Sequence, residues 1–315
     1  MSPPIIATVS DPVNPARRLV RPGLVLILAA ALAGMACATA AVPHSPAPQA
    51  VTYPSAGAAD DERGSYYVSL LKLALSKADG SFAVMPSREA SLNSRVFIRM
   101  AAGDGIDVVW APTTQRLERD FLPVRVALDK GILGWRLFLI RDADRAAFAS
   151  VHSLAQLKAL PAGLVGEWVD TEVLRANGLP VVDAMRYDSL FKMLALERFR
   201  YLPRGMGEIE AEAHRHAPLG LAIEPHLALH YPMCTYFFVA RGNTGLAAQI
   251  ELGLRRAQRD GSFEKLFQQF NGAAIRAAQL DKRLVFELRN PAQPAADAPG
   301  QHECREAAAA IRHAK

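Results

Sequence analysis

The sequence predicts an α/β fold in two lobes, and three observations carry that reading. Strand-like and helix-like segments alternate between residues 50 and 110, and alternate again between residues 153 and 224. Strand-like sequence separates the two runs and returns at residues 235–240, TYFFVA. The Gly-rich turns that cradle phosphates, GxGxxG and GxxxxGK(S/T), are absent from the sequence, which argues against one nucleotide-binding sheet. At 315 residues, half of them hydrophobic and 21% charged, the chain can build real cores, and wholesale disorder is excluded.

The first forty residues read as an export signal. Arg17, Arg18 and Arg21 form a basic region, LVLILAAALA at 24–33 is an apolar run too short to span a bilayer, and Ala38-Thr39-Ala40 fits a cleavage site. We therefore expect residues 1–41 to be a signal peptide cleaved near Ala40 or Ala41, a periplasmic protein, and a linker at 42–49; an uncleaved anchor is the alternative. Lipidation at Cys37 and a twin-arginine signal at Arg17-Arg18 stay open, although the flanking residues of both fit poorly. Removing residues 1–41 takes away three arginines and Asp11, and the net charge falls from +5 to +3. That mild excess, with no basic stripe, implies no nucleic-acid partner.

A first strand is expected at 50–53 (AVTY), ending at Pro54. Residues 60–76 carry Tyr67, Leu70, Leu71, Ala74 and Leu75 on one helical face. A strand at 82–85, a helix at 91–102 closed by Gly103 and a buried-type strand at 106–110 (IDVVW) complete the first run. Strand-like residues follow at 124–128 and 134–140 (GWRLFLI). The second run has helices at 153–160, 170–177, 189–196 and 207–215, with strands at 164–165, 181–182, 199–202 and 219–224. After the returning strand, helices are expected at 246–260 and 262–270. Residues beyond 290 are rich in Ala and Pro and read as a tail with a short helix at 305–312.

The order and spacing of several segments resemble the family 3 extracellular solute-binding proteins, of which this chain would be a divergent member. The segments are Asp107-Val108-Val109-Trp110 followed by Thr113-Thr114-Gln115-Arg116, Ser153-Leu154-Ala155-Gln156-Leu157-Lys158, Tyr236-Phe237-Phe238-Val239 with Asn243, and AQRDGSF at 257–263. The resemblance covers residues 51–288. It implies the type 2 periplasmic binding fold: each lobe a mixed sheet flanked by helices, joined by two crossover strands. Lobe 1 would be 50–134 plus 235–290, lobe 2 would be 135–234, and 291–315 a flexible tail. A ligand would sit between the lobes, which would close by a hinge near Gly134 and residues 231–235.

The same resemblance points to site residues. Arg116 matches the arginine that holds a ligand carboxylate, with Arg119 close in register; its alternative is a solvated arginine at a helix start. Arginine suits that task because its planar fork donates paired hydrogen bonds. Where the family places an aspartate for the ligand's amino group, residues 199–205 (FRYLPRG) carry no carboxylate. Arg204, between a strand and a helix, is instead a candidate anion clamp. Thr113, Trp168, Thr171, Tyr53 and Trp110 are further ligand candidates, with core packing as the alternative for the aromatics. Asp170 reads as a helix N-cap.

No catalytic residue and no cofactor is expected. Carboxylate pairs such as Asp60-Asp61 and Glu208/Glu210 have polar flanks and read as solvated faces. His214 and His216, two apart, would point to different helix faces, and His226 and His230, four apart, are framed by Pro225 and Pro232, which weakens a helical pair, so no metal is expected. Cys234 and Cys304 could pair in an oxidising compartment, but Cys304 falls in the expected tail, and the question stays open. The function expected is a periplasmic solute-binding protein, monomeric, that passes a small anionic or amino-acid-like ligand to an ABC-type permease. Alternatives are a sensing or adaptor module for a membrane partner, and a dehydratase-like enzyme on the same fold.

Overall fold

A computed structural model describes residues 47–55, 64–90 and 95–313, so the expected signal peptide and most of the linker lie outside the described residues. The chain opens with β1 (Gln49–Ser55), α1 (Ser65–Ser76), β2 (Phe82–Ala90), α2 (Arg95–Ala102), β3 (Val108–Pro112), α3 (Gln115–Asp120) and β4 (Leu122–Val124). The second run holds β5 (Trp135–Arg141), two short helices, α4 (Arg145–Ala149) and α5 (Leu154–Leu157), then β6 (Ala162–Val165), α6 (Val169–Ala176), β7 (Val181–Ala184), α7 (Tyr187–Ala195), β8 (Leu202–Gly205), α8 (Met206–Arg215), β9 (Leu221–Ile223) and β10 (Leu227–His230). The chain ends with β11 (Thr235–Val239), α9 (Thr244–Arg259), α10 (Ser262–Ala278), β12 (Leu284–Glu287) and α11 (Gln301–Ile311).

Lobe 1 is a mixed sheet. β1 and β2 run parallel, from Gln49 opposite Phe82 to Tyr53 opposite Pro86. β11 lies between β3 and β4 and is antiparallel to both, with Phe237 opposite Trp110 and Val124. Asp107, one residue before β3, joins the two parts: its amide donates to the Thr52 carbonyl at 2.8 Å, and its carboxylate accepts the Thr52 amide at 2.8 Å. α1 covers this sheet because Tyr66, Leu70, Leu71, Ala74 and Leu75 recur at helical spacing and are all buried; the face runs through Tyr66 rather than Tyr67.

Lobe 2 is built around β5, whose first six residues are all buried. β8 flanks it on one side, with Leu202 opposite Leu139. On the other side lie β9 and β10, with Ile223 opposite Leu139 and Leu229 opposite Arg136. β6 and β7 pair in parallel, and Ala162 bridges to Tyr201 at the start of β8. One placement differs from expectation. β12, expected in lobe 1, pairs in parallel with β10 of lobe 2, from Leu227 opposite Leu284 to His230 opposite Glu287. Phe286 and Leu288 join the apolar cluster of Leu227 and Leu229, and the Arg283 guanidinium donates to the carbonyls of Ala278 (2.6 Å) and Leu227 (3.1 Å).

The stretch beyond residue 290 also differs. It was expected to be flexible, yet α11 buries Gln301, Cys304, Ala308 and Ile311, and Cys304 forms a disulfide with Cys234. Among the described residues, no helix is long and apolar enough to cross a membrane.

The chain passes between the lobes twice, at residues 125–134 and 231–234. The crossovers touch where the Tyr231 amide donates to the Gly134 carbonyl at 3.1 Å. A Cβ on Gly134 would overlap the carbonyl oxygen of Tyr231. Gly134→Ala is therefore expected to destabilise the protein by about 3 kcal/mol in urea unfolding, because two backbones must separate. Gly207, in α8 with open space around it, is the contrast: Gly207→Ala should stabilise by roughly 0.5–1 kcal/mol.

Candidate functional site

In lobe 2 the C-terminal ends of β6 and β8 and the starts of α6, α7 and α8 gather a charged and aromatic cluster. Arg204, at the end of β8, is 8% exposed. It donates from Nε and Nη2 to the two carboxylate oxygens of Glu212, each at 2.6 Å, and Nη2 also lies 2.9 Å from Glu208. Helical spacing explains the set, since Glu208 and Glu212 are one turn apart on α8. Two rings enclose the guanidinium: its carbon lies 5.0 Å from the Trp168 ring centre and 5.4 Å from that of Tyr187. The Tyr187 hydroxyl donates to Glu212 at 2.7 Å.

A second buried pair lies alongside. Arg136, on β5, donates from Nε to Asp170 at 2.5 Å and to the Tyr231 hydroxyl at 3.0 Å, and Tyr231 donates to Asp170 in turn. Burial alone would raise the Asp170 carboxyl, but the charge and hydrogen bonds of Arg136 outweigh it and hold the group below the ordinary carboxylate range. Asp170 is thus not the N-cap expected. Trp168 holds the cap position, and Asp170 sits in the first turn of α6, where a carboxylate also suits the helix dipole. Thr171 is buried, and its hydroxyl donates to the Val165 carbonyl at 2.8 Å.

In lobe 1, Tyr53 lies in the C-terminal half of β1 and Trp110 in the middle of β3, which runs on to Pro112 instead of ending at Trp110, with ring centres 6.2 Å apart. Tyr67 stacks on Trp110 at 5.6 Å. Thr113 is buried, and its hydroxyl donates to Glu118 at 2.8 Å. Arg116 stands apart on the short helix α3; its side chain is 83% exposed, and Asp120 lies 3.7 Å away. Arg119 is similarly exposed. The fold therefore brings together Tyr53 with Trp110 and Arg204 with Trp168, and gathers neither Arg116 nor Thr113 into those clusters. Among the described residues, no group of His, Cys, Asp and Glu could hold a metal ion.

Asp129, Arg136, Tyr187 and Glu212 were not singled out from sequence; Tyr67 was read only as part of a helix face and Tyr231 only as part of the hinge. Arg136 carried a signal: a lone charge in the apolar run GWRLFLI must be paired if the strand is buried. Asp129 carried none. It is buried between the crossovers, accepting from the Thr235 hydroxyl at 2.6 Å, the Gly131 amide at 3.0 Å and the Tyr67 hydroxyl at 3.2 Å. Burial pushes its carboxyl up to about 6, against the opposing pull of those hydrogen bonds.

No family model matches this chain, and no curated protein does. Solved structures do. The probable extracellular-binding protein of an amino-acid ABC transporter from Bacillus subtilis is 14% identical, with a TM-score of 0.54 over 71% of this chain and 98% of that one. An ancestral arginine-binding protein bound to arginine is 17% identical, with a TM-score of 0.51 over 72% and 99%. A histidine kinase sensor domain with similarity to periplasmic binding proteins is 15% identical, with a TM-score of 0.50 over 72% and 96%. At these identities the likeness establishes the fold. The chain has the two-lobed periplasmic-binding-protein fold, with a mixed sheet and flanking helices in each lobe and two crossovers.

Two outcomes follow for the buried charges. Glu212→Leu should cost about 3 kcal/mol in urea unfolding, because Arg204 keeps only Glu208, and adding Arg204→Met should recover most of the loss. Asp129 binds its proton more tightly folded than unfolded. Its contribution to stability is therefore greatest near pH 4 and is lost as pH rises through about 6. Asp129→Asn, which mimics the protonated form, should gain on the wild type by an amount on the order of 2 kcal/mol between pH 4 and pH 7.

Proposed function

We propose that this chain is an exported, monomeric solute-binding protein of the periplasm, not an enzyme, that captures a small amino-acid-like or anionic ligand between its lobes and delivers it to an ABC-type membrane transporter. In this reading the signal peptide is removed near Ala40 or Ala41. The observation that carries the ligand class is the charge balance of the lobe 2 cluster. Three carboxylates, Asp170, Glu208 and Glu212, stand against two guanidiniums, Arg136 and Arg204. Such a mixed field suits a zwitterion better than a dianion. Strand C-terminal ends in α/β sheets are where ligands bind; Arg204 lies near the end of β8, and Trp168 follows β6. Tyr53, Trp110 and Trp168 would cover the ligand's body. Arg204 would hold its anionic end from lobe 2, with Arg116 as the outer contact from lobe 1 and Thr113 and Thr171 at the rim.

A second reading, a sensing or adaptor module for a membrane partner, is favoured by one observation. The Nε and Nη2 donors of Arg204 are already taken up by Glu212 and Glu208, so this arginine is satisfied without a ligand.

Thermal unfolding of the purified protein against amino acids, dicarboxylates and other small anions separates these readings. A ligand at about 100 times its Kd stabilises by about 2.7 kcal/mol. We expect an upward shift with one class of amino acid, reduced in Arg204→Ala and Arg116→Ala. A shift with dicarboxylates alone would overturn the ligand class. Unchanged unfolding across the panel would favour the adaptor.

A further inference from the structure

We infer that α11 is a redox-controlled strap across both strands that join the lobes. Cys304 of this helix is bonded to Cys234 in the second crossover, closing a sequence separation of 70 residues. The same helix reaches the first crossover. Gly131, at φ +73°, lies beneath Ala308, and a Cβ added to it would stand 2.7 Å from the Ala308 Cβ. The Trp135 indole, at the end of that crossover, donates to the Ala308 carbonyl at 3.3 Å. Gln301, fully buried, donates to the Tyr236 hydroxyl at 3.4 Å, just beyond the second crossover. One helical stripe, Gln301, Cys304, Ala308 and Ile311, thus contacts both connections, and neither lobe can turn about them without carrying or shedding α11.

The disulfide decides which. Apart from the cystine, α11 buries only the apolar groups of Ala308 and Ile311, a small area for holding an eleven-residue helix in place, and its remaining ties are polar, with Glu303 accepting from Arg255 at 2.9 and 3.0 Å and from Gln258 at 3.1 Å. The oxidised chain keeps the helix across the crossovers. A dithiol reductant attacks one sulfur and breaks the Sγ–Sγ bond; two electrons and two protons yield the Cys234 and Cys304 thiols, and the reductant leaves as its own disulfide. The reduced helix then detaches and frees the crossovers. Both sulfurs are buried, so reduction proceeds through local opening of the α11 end. This strap does not depend on what the cleft binds.

Amide hydrogen exchange on the full chain, with no ligand added, tests it. Excess dithiothreitol should accelerate exchange at residues 126–134 and 231–236 by about tenfold and leave β6 and β7 unchanged, and reoxidation should reverse the effect. Cys304→Ser should match the reduced wild type; if that variant does not fold, the reduced wild type alone carries the comparison. Crossover exchange unaltered by reduction, an equal acceleration in every strand, or a disulfide that survives reductant in the folded protein would each overturn the strap.

Discussion

The two crossovers meet at the contact between Gly134 and the main chain of Tyr231, and the polar groups that bridge them are arranged around it. A side chain at residue 134 would push the crossovers apart, and every group that bridges them would lose its partner. Asp129 of the first crossover accepts from Thr235 at the end of the second and from Tyr67 of α1. Tyr231 donates to Asp170, which pairs with Arg136. These contacts need the two chains within hydrogen-bond reach, and only a missing Cβ permits it.

The buried charges at this junction serve arrangement more than stability. Removing an ion pair from water costs about as much as the pair returns, so Arg136 with Asp170 and Arg204 with Glu212 contribute little net free energy. Misplacing either partner is costly, however, and each pair selects one arrangement of strand and helix. Arg136 and Asp170 fix α6 against β5, while Arg204 with Glu208 and Glu212 fixes α8 against the strand that precedes it. The cluster at the ends of β6 and β8 is held in shape by these charges, and Tyr53, Trp110 and Tyr67 form an aromatic cluster in lobe 1.

The fold was more legible in the sequence than the site. β3 and β11 are visible as short continuous apolar runs, and α9 because its apolar residues recur at the helix period over enough positions. β12 was missed because four residues, half of them exposed, show no clear period and gain their role from pairing with β10. α11 was read only as a short helix at 305–312 in a flexible tail, because Ala and Pro around it resemble a solvated segment, and its burial depends on Cys304 meeting Cys234. Within the site, Trp110 and Trp168 were visible as aromatics at strand or helix ends. Asp170 was visible, but its cap role was inferred from neighbours alone; its actual partner, Arg136, lies 34 residues earlier.

The sequence by itself determined the alternation of strands and helices, the two-lobed class and the residues that could carry charge into a crevice. Those properties belong to consecutive residues and their periods. The tertiary structure decided which charges neutralise one another, which sheet receives β12, and that the C-terminal helix lies on the crossovers. The physical reason is range. A local pattern constrains backbone conformation over a few residues, whereas an ion pair, a parallel strand or a disulfide is chosen by whichever distant segment packing brings within a few ångströms.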